Sequence, residues 1–171
     1  LDVAAKAGDV LQAAFPDRMA PAGDEALVAA GRLGRKSGRG FYEYDGSKRR
    51  GPAREAYAAL GATPSDKPPH SRDAVVDRLV LPMVNEAAFC LEDGIVTRPE
   101  KLDLAMIFGT GFPPFRGGLL KYADSVGAER VHARLSQLAA QFGPRFAPAP
   151  LVARLAERGE SFYGRTQGEQ P

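Results

Sequence analysis

Apolar residues recur at helical spacing along most of this chain. Between Glu129 and Phe142, Val131, Leu135, Leu138 and Phe142 fall at i, i+4, i+7 and i+11 and form one stripe, with Glu129, Arg130 and Arg134 off it. Residues 71–93 carry a broader apolar face of Val75, Val76, Leu79, Val80, Met83, Val84, Ala87 and Leu91, and Gly94 follows as a stop. Pro82 lies inside that face, and its ring and missing N–H predict a kink over Arg78 to Pro82. Thr97 and Glu100 have capping-box spacing, which predicts a helix from there to about Phe108. Gly109, Gly111, Pro113, Pro114, Gly117 and Gly118 then predict a tight loop, with Phe112 and Phe115 as core residues. A further helix is predicted from Asp24 to Leu33, closed by Gly34 in the left-handed cap position. Phe41 to Tyr44 is the one extended piece in the pattern, and GATPSDKPPH, 61–70, has the composition of a linker. The pattern predicts an all-α fold in two parts.

Those two parts are related. FPDRMAPA, 15–22, and FGPRFAPA, 142–149, are identical at five of eight positions at an offset of 127. After a three-residue shift Leu27-Val28-Ala29 matches Leu151-Val152-Ala153, and Phe41-Tyr42 then matches Phe162-Tyr163. Ala4, Leu11 and Phe15 fall opposite Val131, Leu138 and Phe142. The order helix, FxxRxAPA, helix, Phe-Tyr therefore occurs twice, as expected of two copies of one helical unit. The second copy begins near His70, long before Ala128, whereas Leu1 already aligns with Ala128. The expected organisation is a tail of a first, truncated unit over 1–60, a linker over 61–70, a complete second unit over 71–165 and a tail over 166–171. A chain that opens on leucine in the middle of a unit is expected to be a fragment of a longer protein.

Composition narrows the chemistry. The 23 basic and 21 acidic residues leave a net charge of +2, which argues against a dedicated nucleic-acid binder. A 44% hydrophobic content is enough for a packed core. The single Cys90 excludes an internal disulfide framework and a multi-cysteine zinc site, and reads as a small core residue of an intracellular, cytoplasmic protein. His70 and His132 are remote from Cys90 in sequence, so no thiol–imidazole pair is indicated. No apolar run approaches the ~20 residues of a membrane span, and no secretory leader is expected.

The most distinctive stretch is LGRKSGRGFYEY, 33–44. It lacks the GxxxxGK[ST] order of a phosphate-binding loop, and the GxGxxG of a dinucleotide fold is absent from the chain. Two readings fit it. In one, Gly38 and Gly40 permit a tight turn, Phe41 and Tyr42 anchor it to the helices, and Arg35, Lys36 and Arg39 are solvated. In the other, those three cations face a ligand carrying several phosphates.

LGRKSGRGFYEY resembles the segment that closes the C-terminal helical domain of 3-hydroxyacyl-CoA dehydrogenases. RLVLPMVNEAAFCLEDGIVTRPEKLDLAMIFGTGFPPFRGG, 78–118, resembles the second helical unit of the multifunctional fatty-acid oxidation α subunit. The resemblance covers roughly residues 1 to 165. The resemblance implies a helical C-terminal domain of the 6-phosphogluconate-dehydrogenase-like type, in a parent that oxidises L-3-hydroxyacyl-CoA to 3-ketoacyl-CoA with NAD. In that family a separate nucleotide domain holds NAD and supplies a His–Glu pair as base and orienter, a pairing suited to proton removal near neutrality. The helical domain covers the acyl-CoA and dimerises, and the multifunctional members work in a thiolase-containing complex.

None of the family's catalytic residues carries over. Its asparagine-arginine pair belongs to a first helix that this chain lacks, and the matching place in the second unit holds Asp77-Arg78. The chain alone is therefore expected to bind no NAD and to be inactive. It supplies substrate-domain and dimer scaffold, with Arg35, Lys36 and Arg39 as candidates for the CoA phosphates. Arg116 is expected to pin a carboxylate or a helix end, and Asn85 and Glu86 to satisfy backbone freed near Pro82. The alternatives are a stand-alone helical module that binds acyl-CoA or protein without catalysis, and a nucleic-acid binder. The latter would use Arg32, Arg35, Lys36, Arg39, Lys48, Arg49 and Arg50, a cluster diluted by Asp24, Glu25, Glu43 and Asp45.

Overall fold

The computed structural model describes residues 1–19, 23–65, 67 and 70–164. Positions 20–22 of the first FxxRxAPA copy, positions 66, 68 and 69 of the expected linker, and the 166–171 tail lie outside the described residues. The chain divides into two compact units, Leu1–Pro69 and His70–Pro171. Among the described residues there are eight α-helices and one two-stranded sheet, so the fold is all-α with a small hairpin. None of these helices is long and apolar enough to cross a membrane.

The first unit runs α1 (Asp2–Ala14), α2 (Asp24–Ala29), a 3-10 turn (Arg35–Ser37), β1 (Tyr42–Asp45), β2 (Lys48–Pro52) and α3 (Arg54–Ala59). Its core is small: Leu27, Ala53 and Ala56, with Leu1 and Ala59 against them. α2 stops short of the expected Leu33. Gly31 (φ +68), not Gly34, takes the left-handed position. The Arg32 N–H donates to Leu27 O at 2.8 Å and the Gly31 N–H to Val28 O at 2.9 Å, the paired bonds of a Schellman cap. Strand β2 is the element the sequence pattern misses, because KRRGP alternates nothing and is exposed throughout.

The second unit runs α4 (Arg72–Glu92), α5 (Pro99–Thr110), a 3-10 turn (Pro114–Arg116), α6 (Leu119–Val126), α7 (Ala128–Phe142), a 3-10 turn (Pro144–Phe146) and α8 (Pro150–Arg158). Ser71 caps α4, its Oγ accepting the Ala74 N–H at 3.2 Å. Pro82 sits inside α4 without ending it. The buried face of α4 is Leu81, Val84, Ala87 and Ala88, packed with Leu119, Leu120, Val131, Leu135 and Val152. Val75, Val76 and Leu79 are exposed, so the apolar face expected along the whole helix enters the core only in its second half.

α5 does not begin on a Thr97 capping box. Arg98 is the cap residue, Pro99 occupies the first helical position where a missing N–H costs nothing, and Glu100 pairs with Arg98 at 3.3 Å. Phe112 packs on the core, but Phe115 is 83% exposed, turned outward by the 3-10 turn that carries it. Cys90 packs against the core as a half-buried residue.

Candidate functional site

In the first unit the glycine-cation loop folds back on itself. Gly34 bridges Arg39, and Arg39 bridges Glu43, so the chain returns Arg39 to a place one residue from Arg35. Ser37 holds the turn: its Oγ accepts the Leu33 N–H at 2.9 Å and donates toward Arg39 O at 2.9 Å. Gly40 passes so close to Gly34 that a Cβ there would lie 2.9 Å from the Gly34 Cα.

The anchor of this loop is Arg32, not the Phe41-Tyr42 pair. Arg32 is 5% exposed; its Nε donates to Gly40 O at 3.0 Å and its guanidinium to Glu43 Oε1 at 2.6 Å. Phe41 and Tyr42 are largely solvent-facing, and Arg49 stacks over the Tyr42 ring at 4.8 Å. In the second unit the matching Phe162 and Tyr163 do pack on the core.

All three candidate cations are exposed, and the structure separates them by partner. Lys36 pairs with Asp2, whose carboxyl it holds below the usual range by that hydrogen bond. Arg35 and Arg39 pair with no acid among the described residues. Of the seven clustered cations, Arg32, Lys36 and Arg50 are bound to acids and Arg49 is stacked on Tyr42, which leaves Arg35, Arg39 and Lys48 for a ligand. That remainder is short of a stripe that tracks a nucleic-acid backbone.

The second unit is organised by polar side chains that bind backbone groups of other elements. Asp103 is 2% exposed. Its carboxylate accepts the Leu120 N–H at 2.7 Å, the Lys121 N–H at 3.0 Å and the Tyr163 hydroxyl at 2.8 Å, capping α6 from another helix. The Tyr163 hydroxyl is held above the ordinary phenol range, first by burial and then by this bond. Asp124 accepts the Phe162 N–H at 2.8 Å and the Tyr163 N–H at 3.3 Å, while burial pushes its carboxyl up.

Asn85 donates to Ala147 O at 2.8 Å and accepts the Ala149 N–H at 2.7 Å. It satisfies the backbone of the distant FxxRxAPA loop rather than groups beside Pro82. Arg116 pins no acid among the described residues; it lies over the Phe115 and Tyr122 rings at 5.7 and 5.9 Å. At the place matching the family's asparagine-arginine pair, Asp77 binds Arg134 at 2.7 Å and Arg78 stacks on Phe142 at 4.0 Å.

These residues do not fit a dinucleotide. The sheet among the described residues is two antiparallel strands, without the parallel strand–turn–helix whose amides cradle a pyrophosphate. No group of three or more His, Cys, Asp or Glu side chains among the described residues could hold a metal.

Residues 1–44 and 75–170 match the family model for the 3-hydroxyacyl-CoA dehydrogenase C-terminal domain. The chain belongs to that family. The chain is also 42% identical over 165 residues to the fatty acid oxidation complex subunit alpha of Idiomarina loihiensis, and 43% identical over 166 residues to that of Shewanella loihica. Each alignment covers 95% of this chain and 23% of the relative, so the chain spans about a quarter of the length of the curated relatives it matches. The crystal structure of M. tuberculosis FadB2 aligns over 64% of this chain and 40% of its own, with 24% identity and a TM-score of 0.47, a likeness too weak to define a shared fold.

Proposed function

We propose that this chain is the C-terminal helical part of an enzyme that oxidises L-3-hydroxyacyl-CoA to 3-ketoacyl-CoA with NAD in fatty-acid β-oxidation. The observation that carries the reading is the identity above 40% along 95% of the chain to fatty acid oxidation complex α subunits. In this reading residues 1–60 are the tail of a first helical unit, 61–70 a linker and 71–165 a complete second unit. The base, its orienter and the NAD site belong to a nucleotide domain of the parent. The chain contributes the substrate domain and the dimer scaffold, in a cytoplasmic parent that works as a dimer or with a thiolase.

Within this scaffold Arg35 and Arg39 are the residues that reach the CoA phosphates. Both are exposed on one folded-back loop and pair with no acid among the described residues, and guanidinium–phosphate bonds are charge-assisted and bidentate. Lys36 is the weakest of the three candidates, because Asp2 already occupies it.

In the full-length parent, the R35A/R39A variant is expected to raise the acyl-CoA KM about tenfold or more and to leave kcat nearly unchanged, since the contact lies away from the reacting carbon. An unchanged KM returns these residues to a solvated turn. The purified 171-residue chain, mixed with NAD and a 3-hydroxyacyl-CoA, is expected to form no NADH. Measurable hydride transfer by the chain alone overturns the assignment of base and cofactor to another domain.

A further inference from the structure

The small sheet of the first unit is wider than its two strands. Gly38 O accepts the Tyr44 N–H at 2.8 Å, and Arg39 bridges Glu43 in antiparallel register, so residues 38–39 run along the second edge of β1. On the other edge Tyr44 opposes Arg49 and Asp45 opposes Lys48. Residues directly opposite one another in such a ribbon share a face, and the face alternates along each strand. Arg39, Glu43, Asp45 and Lys48 therefore lie on one face, and Tyr44 and Arg49 on the other. The stacking of Arg49 on the Tyr42 ring obeys the same alternation. A Cβ at Gly31 would stand 3.7 Å from the Arg39 guanidinium, and Glu43 accepts from Arg32, so both side chains lean toward the end of α2.

The two acids on the Arg39 face are already neutralised. Glu43 binds Arg32 at 2.6 Å and Asp45 binds Arg50 at 2.5 Å. Arg39 and Lys48 are exposed and pair with no acid among the described residues. Two strand spacings, about 10 Å, separate them across the ribbon, and two residues, about 7 Å, along it. Long side chains close much of that gap from both ends. We infer that Lys48 is a further substrate-binding residue, which holds the ribose 3′-phosphate of coenzyme A while Arg35 and Arg39 hold its diphosphate. The inference rests on the loop's being the coenzyme site of the proposed function and assigns the third phosphate within it. That phosphate is a monoester with close to two negative charges near neutrality, so it calls for a cation of its own. An ammonium on a flexible stem suits it, because a terminal phosphate offers oxygens in several directions and a point charge can follow them. With Glu43 and Asp45 both occupied, no bare carboxylate on the face repels it.

The test is kinetics of the full-length parent with a 3-hydroxyacyl-CoA and with the same thioester of 3′-dephospho-CoA. Wild type is expected to show a KM about tenfold higher for the dephospho substrate. K48A is expected to raise the KM for the CoA substrate about tenfold and to leave the KM for the dephospho substrate within about twofold of wild type, so that the two converge at unchanged kcat. Lys48 is exposed where β2 begins, so its truncation does not put folding at stake. R35A/R39A is expected to raise both KM values together. If K48A raises both values equally, or neither, while R35A/R39A still raises both, the 3′-phosphate assignment falls and the loop remains the coenzyme site. A wild type that does not distinguish the two substrates overturns the assignment as well. Unchanged KM values in both variants overturn the assignment and the coenzyme site together.

Discussion

Gly118→Ala is expected to destabilise the second unit by about 3–6 kcal/mol, a large share of the ~5–15 kcal/mol that holds a typical domain together. Gly118 has φ +120° and ψ 176°, a region open in practice to glycine alone. A Cβ there would lie 2.3 Å from the Asp103 Cγ, 2.4 Å from its Cβ and 2.6 Å from its Oδ2. The methyl and the carboxylate cannot share that space. Asp103 must swing away, and the Leu120 and Lys121 amides and the Tyr163 hydroxyl lose their acceptor together.

Backbone strain of ~1–3 kcal/mol, a lost cap of ~0.5–2 kcal/mol and stranded buried donors at ~1–3 kcal/mol each push the same way. Asp103→Asn is expected to do less, because its amide keeps one acceptor oxygen for three donors. Urea denaturation gives the free energy, and hydrogen exchange at the Leu120 and Lys121 amides reports the cap directly. A G118A chain with an unchanged midpoint and protected amides would show that the α6 entrance does not depend on this contact.

The residues of that network show which parts of the structure a sequence pattern reveals. α7 is legible because Val131, Leu135, Leu138 and Phe142 repeat at helical spacing and solvent takes the other face. The boundaries of α4 are legible because Ser71 and Gly94 punctuate it. Which half of α4 meets the core is not, since Val75 and Val84 are equally apolar and only tertiary packing distinguishes them.

Asp103 and Asn85 did carry a signal. Each is a polar residue set on an otherwise apolar helical stripe, Asn85 between Val84 and Ala88 and Asp103 beside Leu102. Such a residue must find a buried partner, but the partners are α6 amides, a tyrosine hydroxyl and loop backbone groups between 17 and 64 residues away, and nothing local names them. Arg32 carried none. It stands among seven similar cations, and only its geometry shows that it is structural. The Thr97 capping box failed for a different reason: Pro99 fixes the helix start one residue later than the spacing suggests.

Arg32→Ala is expected to loosen the candidate site, at a cost of about 2–4 kcal/mol. The guanidinium bonds a buried carbonyl, Gly40 O, and the Glu43 carboxylate at once. Truncation leaves that carbonyl without its donor and removes a side chain that ties the end of α2 to the loop. Glu43 is half-exposed and recovers water, so the loss falls on Gly40 and on the packing of the arginine stem. Arg32→Lys is expected to rescue little, because a point charge with a different reach cannot replace a fork that serves two acceptors.

The functional reading makes a second demand on the same variant. If Arg35 and Arg39 hold phosphates because the fold-back presents them together, then R32A in the full-length parent must raise the acyl-CoA KM even though Arg32 itself is buried away from any ligand. Hydrogen exchange over residues 33–44 measures the loosening, and steady-state kinetics measures its consequence. Faster exchange with a higher KM ties loop geometry to substrate binding. Faster exchange with an unchanged KM would mean that the loop is scaffold alone and that the phosphates are held elsewhere.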